Sequence, residues 1–211
     1  MIFGGDGKRW YTCGCFSFKL ELYTYLHPLK IFLDTEFTGL QQYTSLISIG
    51  LAAENGYMFY AEFTDYDQTQ METWHQQNVL PLLSGNLRIG FNAKVDDRMF
   101  VRGDRYDIGR ILRNWFARFG GKNSVEIWAD VLAWDWVLFC ELFGGAFGIP
   151  EQIHYIPRDL STLLYLQGID PDMDREKLGT VDWSHPALKL ARHHALYDAL
   201  LEKSIFEKYS T

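Results

Sequence analysis

The segment Ile31-Phe32-Leu33-Asp34-Thr35-Glu36-Phe37 constrains the fold of this 211-residue chain more than any other stretch. Three consecutive large apolar residues suit a strand buried on both faces, which belongs in the interior of a sheet. Asp34 and Glu36 follow two residues apart, so both carboxylates project from one face of that strand. A buried strand ending in two acids on one face is a place to hold a cation. Alone, the D-x-E pattern is common, and two strand-end acids turned to water are its plain alternative.

The neighbouring sequence supplies the rest of a sheet. Residues 46–53 and 57–63 read as strands joined through Glu54-Asn55-Gly56, and Asn-Gly is a strong hairpin signal. The first three strands therefore form an antiparallel meander. Residues 68–83 are helix-like up to Pro81, and 87–91 form a short apolar segment. Ile108, Ile111, Leu112, Trp115, Phe116 and Phe119 recur at spacings of three and four, which predicts a helix over 106–119 closed by Gly120-Gly121. Residues 125–129 are another strand. Residues 135–143 form an almost wholly apolar helix stopped by Gly144-Gly145, and a further helix begins near Asp159. A last helix runs over 194–208. This order predicts an α/β layer architecture, a mixed central sheet flanked by helices.

Composition limits the class of protein. With 47% apolar and 22% charged residues, the chain is neither disordered nor fibrous, and its length suits one compact domain over 29–211. Residues 1–28 are a poorly patterned extension carrying Gly4, Gly5, Gly7 and Gly14. No apolar run approaches the roughly 20 residues that span a bilayer, so no membrane partner is expected. Asp6, Lys8, Arg9, Lys19 and Glu21 interrupt the start of the chain, which argues against a secretion signal. Cys13, Cys15 and Cys140 build no disulfide framework, and the expected compartment is the reducing cytoplasm. A net charge of −7 argues against a protein that coats long nucleic acid through many cations. It leaves room for a nuclease, because bound metal ions provide their own positive field.

A second motif sits at the start of the last helix, His193-His194-Ala195-Leu196-Tyr197-Asp198. Asp198 falls in the first turns of the helix, where it can complete a cation site begun by another element. His193, five residues earlier, lies in the preceding loop, free to approach a water, and an unperturbed pKa near about 6.5 suits a general base. A polar helix start with no ligand is the alternative for this pair.

Together the two motifs resemble those of the DEDDh 3′-5′ exonuclease superfamily, and more closely a small group of bacterial and phage 3′-5′ exoribonucleases. Phe32 to Leu40 corresponds to the first motif of the superfamily and His193-x-x-x-x-Asp198 to the third, within a resemblance spanning about residues 29–208. The resemblance implies an RNase H-like fold. It implies two Mg²⁺ or Mn²⁺ ions held by Asp34, Glu36, Asp198 and a middle carboxylate, with His193 as the base. Two segments compete for that middle carboxylate. Asn92-Ala93-Lys94-Val95-Asp96 matches the usual Asn-x-x-x-Asp pattern, but charged residues and Gly103 follow it. Asp135 opens an apolar helix that can fix its position, and is favoured.

Thr35, Phe37 and Trp134 are candidates for the substrate contacts, because rings beside the acids can stack on a terminal base; core packing is the alternative, and the better one for Trp136. Arg158-Asp159-Leu160-Ser161-Thr162-Leu163 resembles a segment these nucleases place after the middle motif, with Asp159 as a helix cap. Asp170-x-Asp172-x-Asp174 fails as a calcium loop, having Arg175 and Val181 where glycine and glutamate belong. Leu29-Lys30 falls where related chains begin with Met and a basic residue, which makes Leu29 a candidate start site. The expected partner is a nucleic acid with a free 3′ end, RNA before DNA, and a homodimer is an allowed assembly. A DNA-proofreading exonuclease and a non-cleaving nucleic-acid-binding module are the competing functions.

Overall fold

The computed structural model describes residues 28–84, 93–95, 97–186 and 188–210. Nearly all of the extension, the apolar segment 87–91, and Asn92 and Asp96 of the competing motif lie outside the described residues.

The apolar run at Ile31 does form an interior strand. Strand β1 (Leu29–Phe37) pairs antiparallel with β2 (Leu46–Ala53), which pairs antiparallel with β3 (Met58–Phe63). The turn between β2 and β3 uses Gly56 at φ 91°, a left-handed conformation that glycine adopts without steric cost. On its other side β1 pairs in parallel with β6 (Val125–Ala129), so it is bonded along both edges. Two more strands, β4 (Ala93–Val95) and β5 (Arg98–Gly103), extend the sheet past β3, and the short β7 (Arg158–Asp159) extends it past β6. Among the described residues the order is β4-β5-β3-β2-β1-β6-β7, a mixed sheet of seven strands.

Helices cover both faces, as the alternation along β1 demands. Ile31 and Leu33 face a core built with Ile108, Leu112, Trp115 and Phe116 of α2 (Arg105–Phe116) and Leu138 and Phe139 of α3 (Ala133–Glu141). The expected helix over 106–119 is thus real, ending in a tighter 3₁₀ turn over Ala117–Phe119. The region 68–83 is not one helix but a 3₁₀ turn, the short α1 (Thr73–Asn78) and a second 3₁₀ turn. Pro81 removes a backbone donor there, which suits such short pieces.

The opposite face carries the last helix, α6 (Ala195–Tyr209), whose Ala195, Leu196, Ala199 and Leu200 pack on Ala52, Met58 and Tyr60. Further along, Leu201 and Ile205 pack with Leu160 and Leu164 of α4 (Leu160–Leu166) and Leu178 of α5 (Arg175–Leu178). Asp159 caps α4 as expected, accepting from Thr162 N at 2.7 Å. The approach of α6 to the sheet depends on Gly50. A Cβ at that position would lie 2.3 Å from the Ala195 carbonyl, so only glycine lets the start of the helix reach β2. Phe32 touches Phe206 of α6, and the period of two therefore turns Asp34 and Glu36 toward the same helix. Among the described residues, no helix is long and apolar enough to cross a membrane.

Candidate active site

Where β1 meets the first turns of α6, a cavity of about 210 Å³ is lined by Asp34, Glu36, Asp130, Asp174, Arg175, Glu176, Arg192, His193, Asp198 and Glu202 among others. One ligand atom from each of Glu36, His193 and Asp198 lies within 4.8 Å of the others. Residues more than 150 positions apart in the chain thus converge on a space that one ion would span. Asp34 Oδ2 is buried with no hydrogen-bond partner in the same place. A buried carboxylate oxygen without a donor costs free energy, and a hard divalent cation is the partner such an oxygen set accepts. The side chains present therefore fit a carboxylate-bound cation.

The electrostatics agree. Burial, reinforced by Asp198, Asp135, Glu36 and Glu202, holds Asp34 well above the ordinary carboxylate range. Glu36 is pushed up to about 9 by burial and then by Asp198 and Asp135. Asp198 rises to about 7, again through burial, against the lowering effects of the His193 N–H and of Arg192. Like charges this close cannot all ionise, and without cations the cluster holds protons at neutral pH.

His193 is fixed from three sides. Its backbone sits at φ 70°, its N–H donates to Asp198 Oδ2 at 2.8 Å, and its ring meets the edge of Trp74 at 4.9 Å between centroids. Burial, followed by Arg192, lowers its pKa below the ordinary imidazole value, with Glu176 opposing. At neutral pH the ring is uncharged and able to accept a proton. His194 takes the opposite role, buried and stacked on Tyr60 at 4.4 Å.

Asp135 reaches the site from the other face of the sheet. It opens α3, and its Oδ1 accepts from both the backbone N–H (2.9 Å) and the hydroxyl (2.7 Å) of Thr35, the residue between Asp34 and Glu36. It does not line the cavity, although its charge acts on Asp34 and Glu36. Its own pKa rises to about 6 because burial outweighs the two Thr35 bonds. The connection has a topological cause: β6 runs parallel beside β1, so the segment leaving β6 arrives next to the end of β1.

The aromatic candidates separate. Phe37 and Thr35 line a second groove of about 490 Å³ together with Glu36, Gly39, Leu40, Glu72, Trp74 and His75. Trp134 instead lines a different groove with Tyr43, Gln70 and Val137, its ring tilted against Phe37 at 6.3 Å. Trp136 stacks on Phe139 in the core. Sequence reasoning missed Trp74, Leu40 and Glu202. Trp74 is 46% and Leu40 76% exposed, so both present apolar surface beside Glu36, and Trp74 also meets the His193 ring. A tryptophan in a short helix gives no periodic signal. Glu202, one turn after Asp198 on α6, could have been found from that spacing.

No family model matches the chain. Proteins named 3′-5′ exoribonuclease from two strains of Mycobacterium tuberculosis are each 30% identical to it over 135 residues, spanning 64% of this chain and 73% of theirs. In three dimensions the chain is similar to the RNase domain of the yeast Pop2 protein. That match has a TM-score of 0.50 at 13% identity, covering 92% of this chain and 82% of the other.

Proposed function

Because the chain belongs to the family of 3′-5′ exoribonucleases found in Mycobacterium tuberculosis, on an RNase H-like α/β fold, we propose that it removes nucleotides from the 3′ end of RNA by metal-dependent hydrolysis. The observation that carries this reading is the mutual 4.8 Å approach of Glu36, His193 and Asp198 beside the unpartnered Asp34 Oδ2.

In this reading Asp34, Glu36 and Asp198 would hold two Mg²⁺ or Mn²⁺ ions, with Asp135 assisting from its place against Thr35. Cations bound there would supply positive charge to offset what develops on the phosphate and the leaving 3′ oxygen. The chain's own residues do the rest. His193, neutral at working pH, takes the proton of the attacking water at a ring nitrogen. The bond from the His193 backbone N–H to Asp198 holds that residue's position relative to the carboxylates. Asp135 holds Thr35 by two hydrogen bonds and so fixes the end of β1 that carries Asp34 and Glu36.

The groove of Phe37, Leu40 and Trp74 begins at Glu36 and receives the terminal base. Base stacking tolerates any sequence, which suits an enzyme that proceeds from an end. Arg192, exposed at the rim beside His193, offers the approaching backbone a cation.

The experiment uses matched RNA and DNA oligomers labelled at either end, incubated with the full chain and Mn²⁺ or EDTA. A 5′-labelled RNA that shortens stepwise only with Mn²⁺ supports the reading. Internal cleavage, or equal digestion in EDTA, contradicts it.

A further inference from the structure

Glu202 lies on α6 one turn beyond Asp198, on the side of the helix that faces β1. It is 4% exposed, yet it lines the carboxylate cavity. One oxygen has a clear task, since Oε1 accepts from the backbone N–H of Asp130 at 3.1 Å. The other does not: Oε2 is buried and has no hydrogen-bond partner.

Asp130 lines the same cavity, but its carboxylate is fully engaged by Arg175, through Nε at 2.6 Å and Nη2 at 3.0 Å, and by the Ser161 hydroxyl at 2.6 Å. Arg175 is in turn anchored on the carbonyls of Pro171 and Met173 and on Ser161. That guanidinium is spent on Asp130, and among the described residues no donor reaches Glu202 Oε2. A buried carboxylate is tolerated when it is paired or placed near a metal. In a cavity where Asp34 Oδ2 is likewise unpartnered, the shared remedy is a cation and the water it carries. Mg²⁺ and Mn²⁺ retain bound waters that donate strong hydrogen bonds, and carboxylates behind the direct ligands orient them.

We propose that Glu202 is a positioning residue of the cation site: Oε2 accepts a hydrogen bond from a water held by a cation, while Oε1 ties the residue to the end of β6. The inference rests on the metal-dependent reading above. It adds a fifth carboxylate, behind Asp34, Glu36, Asp135 and Asp198, which does not itself ligate the ion.

The test is Mn²⁺ binding by the full chain, measured by calorimetry and by electron paramagnetic resonance of free Mn²⁺, without substrate. Glu202→Gln keeps a carbonyl oxygen for the Asp130 N–H, so a purely structural role would leave Mn²⁺ binding unchanged. The expected result is a rise in Kd of about 10- to 100-fold with the thermal transition retained. Glu202→Asp, which keeps the charge but withdraws it, is the companion variant and is expected to weaken binding as well. If wild type binds Mn²⁺ and both variants bind it with the same Kd, the role of Glu202 is overturned while the metal site stands. If wild type binds no Mn²⁺ at millimolar concentration, both readings fall.

Discussion

Asp198 Oδ2 accepts a 2.8 Å hydrogen bond from the backbone N–H of His193, five residues before it. That bond holds a non-glycine residue at φ 70°, a conformation that costs about 1–3 kcal/mol. It also couples the proposed proton acceptor to a proposed cation ligand, so a change in either residue moves the other.

Burial and Arg192 lower the pKa of the His193 ring, so the ring is neutral and able to act as a base at neutral pH. The rate should therefore rise with pH along an acid limb lying below about 6.5. His193→Ala should reduce kcat by about 10²- to 10⁴-fold and abolish that limb. An unchanged profile in the variant would remove His193 from the chemistry.

Stability without metal should fall as pH rises. Asp135, Asp198 and Glu36 have folded-state values raised to about 6, 7 and 9, above those of the unfolded chain. For a raised group the folded form binds more protons, so its stabilising contribution is complete below the unfolded value and lost as pH passes the folded one. Thermal melts in EDTA from pH 5 to 9 should show a declining midpoint, and Mn²⁺ should restore it at the alkaline end by replacing the protons. A midpoint that is flat, or that rises with pH in EDTA, contradicts the crowding of these carboxylates.

Trp74 supplies the broad apolar surface of the groove beside Glu36. Losing it should weaken substrate binding by about 1–3 kcal/mol, the worth of one stacked base. In steady-state kinetics Trp74→Ala should raise KM, whereas Trp74→Phe, which keeps a ring, should recover most of the loss. Equal KM values in all three proteins would place the terminal base elsewhere.

Gly50 sets the distance between sheet and helix. A methyl group there meets the Ala195 carbonyl at 2.3 Å, so Gly50→Ala must push the start of α6 away. Overpacking of this kind costs about 1–3 kcal/mol. Chemical denaturation should register that loss together with a weakened Mn²⁺ affinity, because Asp198 rides on the displaced turn. A variant of wild-type stability would mean that α6 reaches β2 less closely.

Local sequence pattern specifies this fold most fully where it agrees with burial. Strand β1, the hairpin at Gly56, β6 and α6 were legible because apolar patterning and the Asn55-Gly56 turn signal specify them locally, and the first and last motifs sit on those elements. Strand β5 was not legible: Arg98 and Arg102 flank Met99, Phe100 and Val101, and it is pairing with its neighbours β3 and β4 that makes the segment a strand. Trp74 was hidden for a related reason, since α1 is too short to show a periodic face. Asp135 was singled out for its apolar helix, but its bond to Thr35 depends on β6 lying beside β1, a long-range arrangement no local spacing records.

The Asp34 carboxylate sits at the centre of the acidic cluster, its pKa raised by burial and then by Asp198, Asp135, Glu36 and Glu202. The decisive measurement is hydrolysis of a 5′-labelled RNA by wild type and Asp34→Asn over a Mn²⁺ series that includes EDTA. Wild type should be inactive in EDTA and shorten the RNA from its 3′ end as Mn²⁺ is added, with the Asp34→Asn variant slower by about 10²- to 10³-fold or more at every concentration. Digestion by the variant at the wild-type rate, or wild-type digestion indifferent to EDTA, would contradict a cation site built on this carboxylate.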